Sequence, residues 1–107
     1  MKSIKLMPEY GCYPIWYKQN NNDVYENGYP QEILSDINLI TLLNEIEKEF
    51  KSLYQDDEKS FEYLGFPSIG SKDEFIDKLN AALNSLKAIY GESCIIEDSI
   101  AKIKEHF

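Results

Sequence analysis

Between Met7 and Lys18 the chain reads Met-Pro-Glu-Tyr-Gly-Cys-Tyr-Pro-Ile-Trp-Tyr-Lys, and this stretch restricts the fold more than any other. Pro14 fixes its own φ and pushes Tyr13 towards extended backbone, while Gly11 permits a turn that a side chain would strain. A regular helix does not form through such a segment. It predicts a bent, extended piece with a tight turn, in which Ile15-Trp16-Tyr17 forms a strand. Trp16, the only tryptophan, is expected in the core. Tyr10, Tyr13 and Tyr17 are expected to pack with it, although tyrosine and tryptophan also serve as interface anchors.

The rest of the chain is ordered around this piece by its periodicity. Ile4 and Leu6 alternate with Lys5, which predicts a strand over Ser3 to Met7. The polar run Gln19 to Asp23 and the Asn27-Gly28 pair predict turns that tip a hairpin carrying Val24 and Tyr25. At Ser35 the period becomes helical. Ser35 reads as an N-cap, and Ile37, Ile40, Leu43, Ile46, Phe50 and Leu53 form the stripe of a helix from Asp36 to Tyr54. Gln55 to Ser60 is an acidic break, and Phe61 to Pro67 an aromatic loop or short extended piece. Ser71-Lys72-Asp73-Glu74 has the form of a capping box. It opens a second helix with the stripe Phe75, Leu79, Leu83, Leu86 and Ile89, ended by Gly91. Ser93 to Glu97 predicts a buried strand, and Ile100, Ile103 and Phe107 a short amphipathic tail helix behind Ser99. The expected fold is α+β: one domain over residues 1–107, with a small sheet covered by two amphipathic helices and a short C-terminal helix. The strand order is open.

Charge narrows the function. Nineteen acidic residues against eleven basic ones leave a net charge of −8, and there is no arginine. Nucleic acid is thereby excluded as the expected ligand, since phosphate recognition needs clustered Lys and Arg; a basic partner suits the chain better. No apolar run approaches the roughly 18 residues of a membrane span. The first residues lack the apolar core of a signal peptide, so a cytoplasmic protein is expected, with Cys12 and Cys94 as free thiols.

Several candidate chemistries fail on their own terms. Gly65 to Lys72 superficially resembles a phosphate-binding loop, but it places Ser71 before Lys72, the reverse of what phosphate and magnesium contacts require. Cys12 and His106 make a poor nucleophile and base, with Glu9 three residues from the thiol. Two cysteines and one histidine without metal spacing do not make a zinc site, and Asp56-Asp57-Glu58 lacks the alternation of a calcium loop. No cofactor and no enzymatic activity are expected. The acidic loops instead suit recognition of a cation. Asp23 and Glu26 flank Tyr25 in one, and Asp56, Asp57, Glu58 and Glu62 mark the other. These seven residues are the candidate partner-binding set.

Tyr10-Gly11-Cys12-Tyr13-Pro14-Ile15-Trp16, and then Gly28-Tyr29-Pro30-Gln31-Glu32-Ile33-Leu34-Ser35 leading into a helix, resembles a group of small acidic bacterial proteins. These carry a Cys-x-Pro-Leu-Trp-like start and a Leu-Pro-Leu-Ser-like helix opening. The likeness continues through Asp73 to Tyr90 and Gly91-Glu92. The chain departs from the group at Ile15, in the asparagine-rich insertion Gln19 to Asp23, and after Asp98. The group is similar to immunity proteins encoded beside polymorphic toxins, including those of contact-dependent growth inhibition. The resemblance implies a protein that binds one cognate toxin domain, basic if it is a nuclease, and occludes its active site or substrate cleft. A small acidic adaptor or complex subunit is the alternative.

Overall fold

The computed structural model describes residues 3–56, 60–97 and 99–106, with the side chains at 105 and 106 excepted. Asp57, Glu58 and Phe107, and the imidazole of His106, therefore lie outside the described residues. Strands β1 (Ser3–Leu6) and β2 (Ile15–Lys18) form an antiparallel pair in which Ile4 faces Tyr17 and Leu6 faces Ile15. The short β3 (Glu26–Asn27) adds antiparallel to β2. Strand β6 (Ile95–Glu97) adds parallel to the other side of β1, giving the order β3-β2-β1-β6.

The link between β1 and β2 is the bent piece expected there. Gly11 turns at φ 74°, and the Met7 amide donates to the Pro14 carbonyl at 2.9 Å to close the bend. Asn27 does more than make a turn. Its side chain accepts from the Tyr13 amide at 3.0 Å and donates to the carbonyls of Tyr13 and Ile15, so it extends the ladder where β3 itself has ended.

The helices differ from the sequence reading mainly at their ends. A single turn, α1 (Gln31–Leu34), precedes α2 (Ile37–Ser52). The N-cap of α2 is Asp36, whose carboxylate accepts from the Leu39 amide at 3.0 Å, while Ser35 closes α1. Helix α2 stops at Ser52 because Tyr54 enters a hairpin. Strand β4 (Tyr54–Asp56) pairs antiparallel with β5 (Phe61–Tyr63), and the Leu64 and Gly65 amides take the Leu53 carbonyl that a longer helix would have used. The expected break and aromatic loop are thus a second, two-stranded sheet. Helix α3 (Ile69–Tyr90) begins one position after Ser68, whose hydroxyl accepts from the Ser71 amide at 3.0 Å; Ser68, not Ser71, is the cap. Helix α4 (Ile100–His106) closes the chain.

One face of the four-stranded sheet carries the core. Ile4, Leu6 and Ile15 join Ile33 of α1, Leu39, Leu43 and Ile46 of α2, and Phe75, Leu79 and Leu86 of α3 in one buried cluster, which Ile100 and Ile103 of α4 extend. Burial of this apolar area is the main force holding helices to sheet. Period two sends Trp16 to the opposite face, beside Lys5. There Trp16 is only half-buried, its indole N–H donating to the Met7 carbonyl at 2.9 Å. The expectation of a core tryptophan is corrected accordingly; Ile15, its neighbour, fills that role. Tyr10 and Tyr17 do pack against the core, whereas Tyr13 is exposed. Strand β6 is an edge rather than a buried strand, with Ile95 facing outward.

Candidate interaction surfaces

Two surfaces contain those acidic residues singled out from sequence that the structure describes, and the β-ladder separates them. The loop holding Asp23 leaves β2 at Lys18, the end paired with Ser3. The connection between Leu6 and Ile15 lies at the other end of the same strands, and it carries Tyr10 to the β4–β5 hairpin. Asp23, Tyr25 and Glu26 are therefore not brought together with Asp56 and Glu62.

On the first surface Tyr25 crosses the outer face of the sheet. The ammonium groups of Lys5 and Lys18 lie 4.2 and 4.3 Å from the ring centroid, and the phenol donates to the Glu97 carboxylate. Burial and that hydrogen bond push the phenol pKa up. Each ammonium lies within cation–π range of the ring, which offsets part of the repulsion between the two like charges that share it. The sequence reading makes Tyr25 an exposed anchor between two acids. Instead it is half-buried, and its ring and hydroxyl are already engaged within the chain. Glu26 is exposed and stands opposite Tyr17 in the ladder; Asp23 is exposed.

The second surface is built on the hairpin. Register places Tyr54 opposite Tyr63 and Asp56 opposite Phe61, so these four residues share one face, while Gln55 and Glu62 share the other. Tyr10 packs edge-on against this aromatic face, with ring centroids 5.2 Å from Tyr54 and 4.8 Å from Phe61. The Tyr10 hydroxyl donates to Asp56 at 3.3 Å. Partial burial, the Asp56 charge and that hydrogen bond all raise the Tyr10 pKa. Tyr54 and Phe61 stack nearly parallel, and Phe50 supports Tyr54 from α2. A groove of about 360 Å³ opens beside this cluster, lined by Met7, Pro8, Glu9 and Lys102 together with Tyr10 and Tyr54. Asp56 and Glu62 are exposed. Sequence reasoning found the acids of this region but missed the aromatic face, whose only signal was Phe61 and Tyr63 spaced by two.

Other chemistry finds little support. Cys12 and Cys94 are free and half-buried, and burial pushes the Cys94 thiol up, away from a reactive thiolate. Among the described residues no group of three or more His, Cys, Asp and Glu is placed to hold a metal ion. Among them, too, no helix is long and apolar enough to cross a membrane.

No curated protein matches the chain. A family described as Serratia CdiI immunity protein-like matches residues 2–97. That span takes in both acidic surfaces, the four-stranded sheet and the three helices that cover it, and stops just before α4. The chain belongs to this family of immunity proteins of contact-dependent growth inhibition.

Proposed function

We propose that this protein binds the toxin domain of its own contact-dependent inhibition system and neutralises it by stoichiometric occlusion of the active site or substrate cleft. Family membership over residues 2–97 carries the reading. The net charge of −8 supports its electrostatic part: a cleft that binds nucleic acid must be basic, and an acidic inhibitor presents carboxylates where the phosphate backbone would lie. A nuclease toxin is accordingly the target class. Binding in the cytoplasm, where such a toxin meets its substrate, completes the proposal.

Nothing in this mode of action requires bond making by the inhibitor. Its work is surface complementarity, and long-range attraction between opposite charges raises the encounter rate above that of neutral surfaces. The test is co-expression of the chain with the toxin domain encoded beside it, in cells that the toxin arrests. Growth restored by this protein, and not by an unrelated acidic protein of similar size, is the expected result. Arrest that persists despite abundant folded protein would reject the reading.

A further inference from the structure

The two acidic surfaces differ in what they still have to offer. On the outer sheet face, Tyr25 already holds two lysines against its ring and Glu97 already accepts its hydroxyl. A partner docking there would displace existing contacts. On the hairpin, Phe61 and Tyr63 remain 55 and 43% exposed, and Leu64 and Ile69 beside them 58 and 82%. Adjoining apolar exposure of this kind, rimmed by polar groups, marks interaction sites. Tyr63 and Ile69 also line one shallow depression, so the apolar surface continues from β5 onto the start of α3.

Charge indicates the occupant. The described residues of the hairpin, 54–56 and 60–63, include the carboxylates Asp56 and Glu62 and no lysine. Glu9 adds a carboxylate at the groove, and Asp56 is held on the aromatic face by the Tyr10 hydroxyl. Aromatic faces beside carboxylates bind lysine or arginine twice over, through the ring quadrupole and through the opposite charge. The chain itself uses this chemistry at Tyr25.

We propose that the aromatic face of the β4–β5 hairpin, with the groove beside it, is the surface that docks the toxin, and that its occupant is a basic segment of the toxin. Lysine or arginine side chains of that segment lie across Tyr10, Phe61 and Tyr63 with their charges towards Glu9 and Asp56. The proposal rests on the immunity reading above and supplies its contact surface. Lys102 also lines the groove and would repel such a segment.

The test uses the purified full chain and the toxin domain encoded beside it, with binding kinetics followed on a sensor surface at low salt. Phe61→Ser with Tyr63→Ser is expected to weaken binding by tenfold or more, as loss of central aromatic anchors does. Val24→Ser with Ile95→Ser, which removes comparable apolar exposure from the loop and sheet edge of the other surface, is expected to bind as wild type. Because Tyr63 also packs on Tyr54, a second probe avoids the hairpin interior: Glu9→Lys should slow association without changing the melting temperature, and Lys102→Glu should speed it. Hairpin and Glu9 variants that stay folded and bind like wild type would overturn the proposal, most directly if the Val24/Ile95 variant failed instead. A wild-type chain that shows no binding at all would overturn the immunity reading, and the docking surface with it.

Discussion

Trp16 donates its indole N–H to the Met7 carbonyl across the bend between β1 and β2, with its ring on the sheet face away from the helices. Trp16→Phe, which removes that bond and trims a half-buried ring, should cost about 1–2 kcal/mol. Leu43, fully buried between sheet and helices, should lose about 2–5 kcal/mol on change to Ala. Urea unfolding of the two variants checks the order; equal losses would return Trp16 to the core. Tyr29 offers a pH probe. Its phenol donates to Asn44, and burial, followed by the Glu47 charge, pushes its pKa up to about 12. A pKa raised in the folded state stabilises fully below the unfolded value near 10 and is lost as pH rises through the folded one. Stability should therefore fall between about pH 10 and about 12, and Tyr29→Phe should flatten part of that fall in denaturant titrations. An unchanged slope would contradict the assignment.

At the scale of elements, caps and strand ends decide where the periodic segments stop. Asp36→Ala should destabilise by about 1 kcal/mol through loss of the α2 N-cap, whereas Ser35→Ala, at the position the sequence favours, should change little. Thermal melts separate the two. The difference is instructive about legibility. Helical stripes such as Leu43, Ile46 and Phe50, or Phe75, Leu79 and Leu86, announce themselves because burial imposes the 3.6 period over several turns. The first turn of α2 departs from the expected stripe: Ile37 is exposed, and Leu39 is buried in its place. Ser35 and Asp36 are both good caps, and only the backbone angle at which α1 meets α2 chooses between them. The β4–β5 hairpin was hidden for a related reason. Tyr54 continues the α2 stripe, three-residue strands show too little alternation, and the groups that end α2, the Leu64 and Gly65 amides, lie eleven and twelve residues beyond Leu53. Replacing Asp56, Asp57 and Glu58 by Ser tests the hairpin as an electrostatic element. Association with the toxin should slow and its salt dependence flatten, while melting hardly moves: Asp56 is exposed, and exposed charges contribute little to stability. Equal association rates at low salt would remove the hairpin acids from the recognition surface.

Across the whole molecule, one apolar cluster ties the inner face of the sheet to α1, α2, α3 and α4, while the outer sheet face and the hairpin lie outside that cluster, Tyr54 alone of the hairpin residues packing against it. The α+β class was readable because it needs only the order of periods along the chain. The separation of the two acidic loops was not, since it depends on which end of the β1–β2 pair each loop leaves. That separation gives a docking partner a choice, and the internal engagement of Tyr25 favours the hairpin. Neutralisation by this chain is expected to be stoichiometric. Its most direct measurement is titration of the purified toxin domain with this chain, reading bound fraction and residual toxin activity together at low and high salt. Toxin activity is expected to vanish at one chain per toxin, and association to slow as salt rises. A saturated complex in which the toxin remains fully active, or no complex at all, would contradict stoichiometric neutralisation.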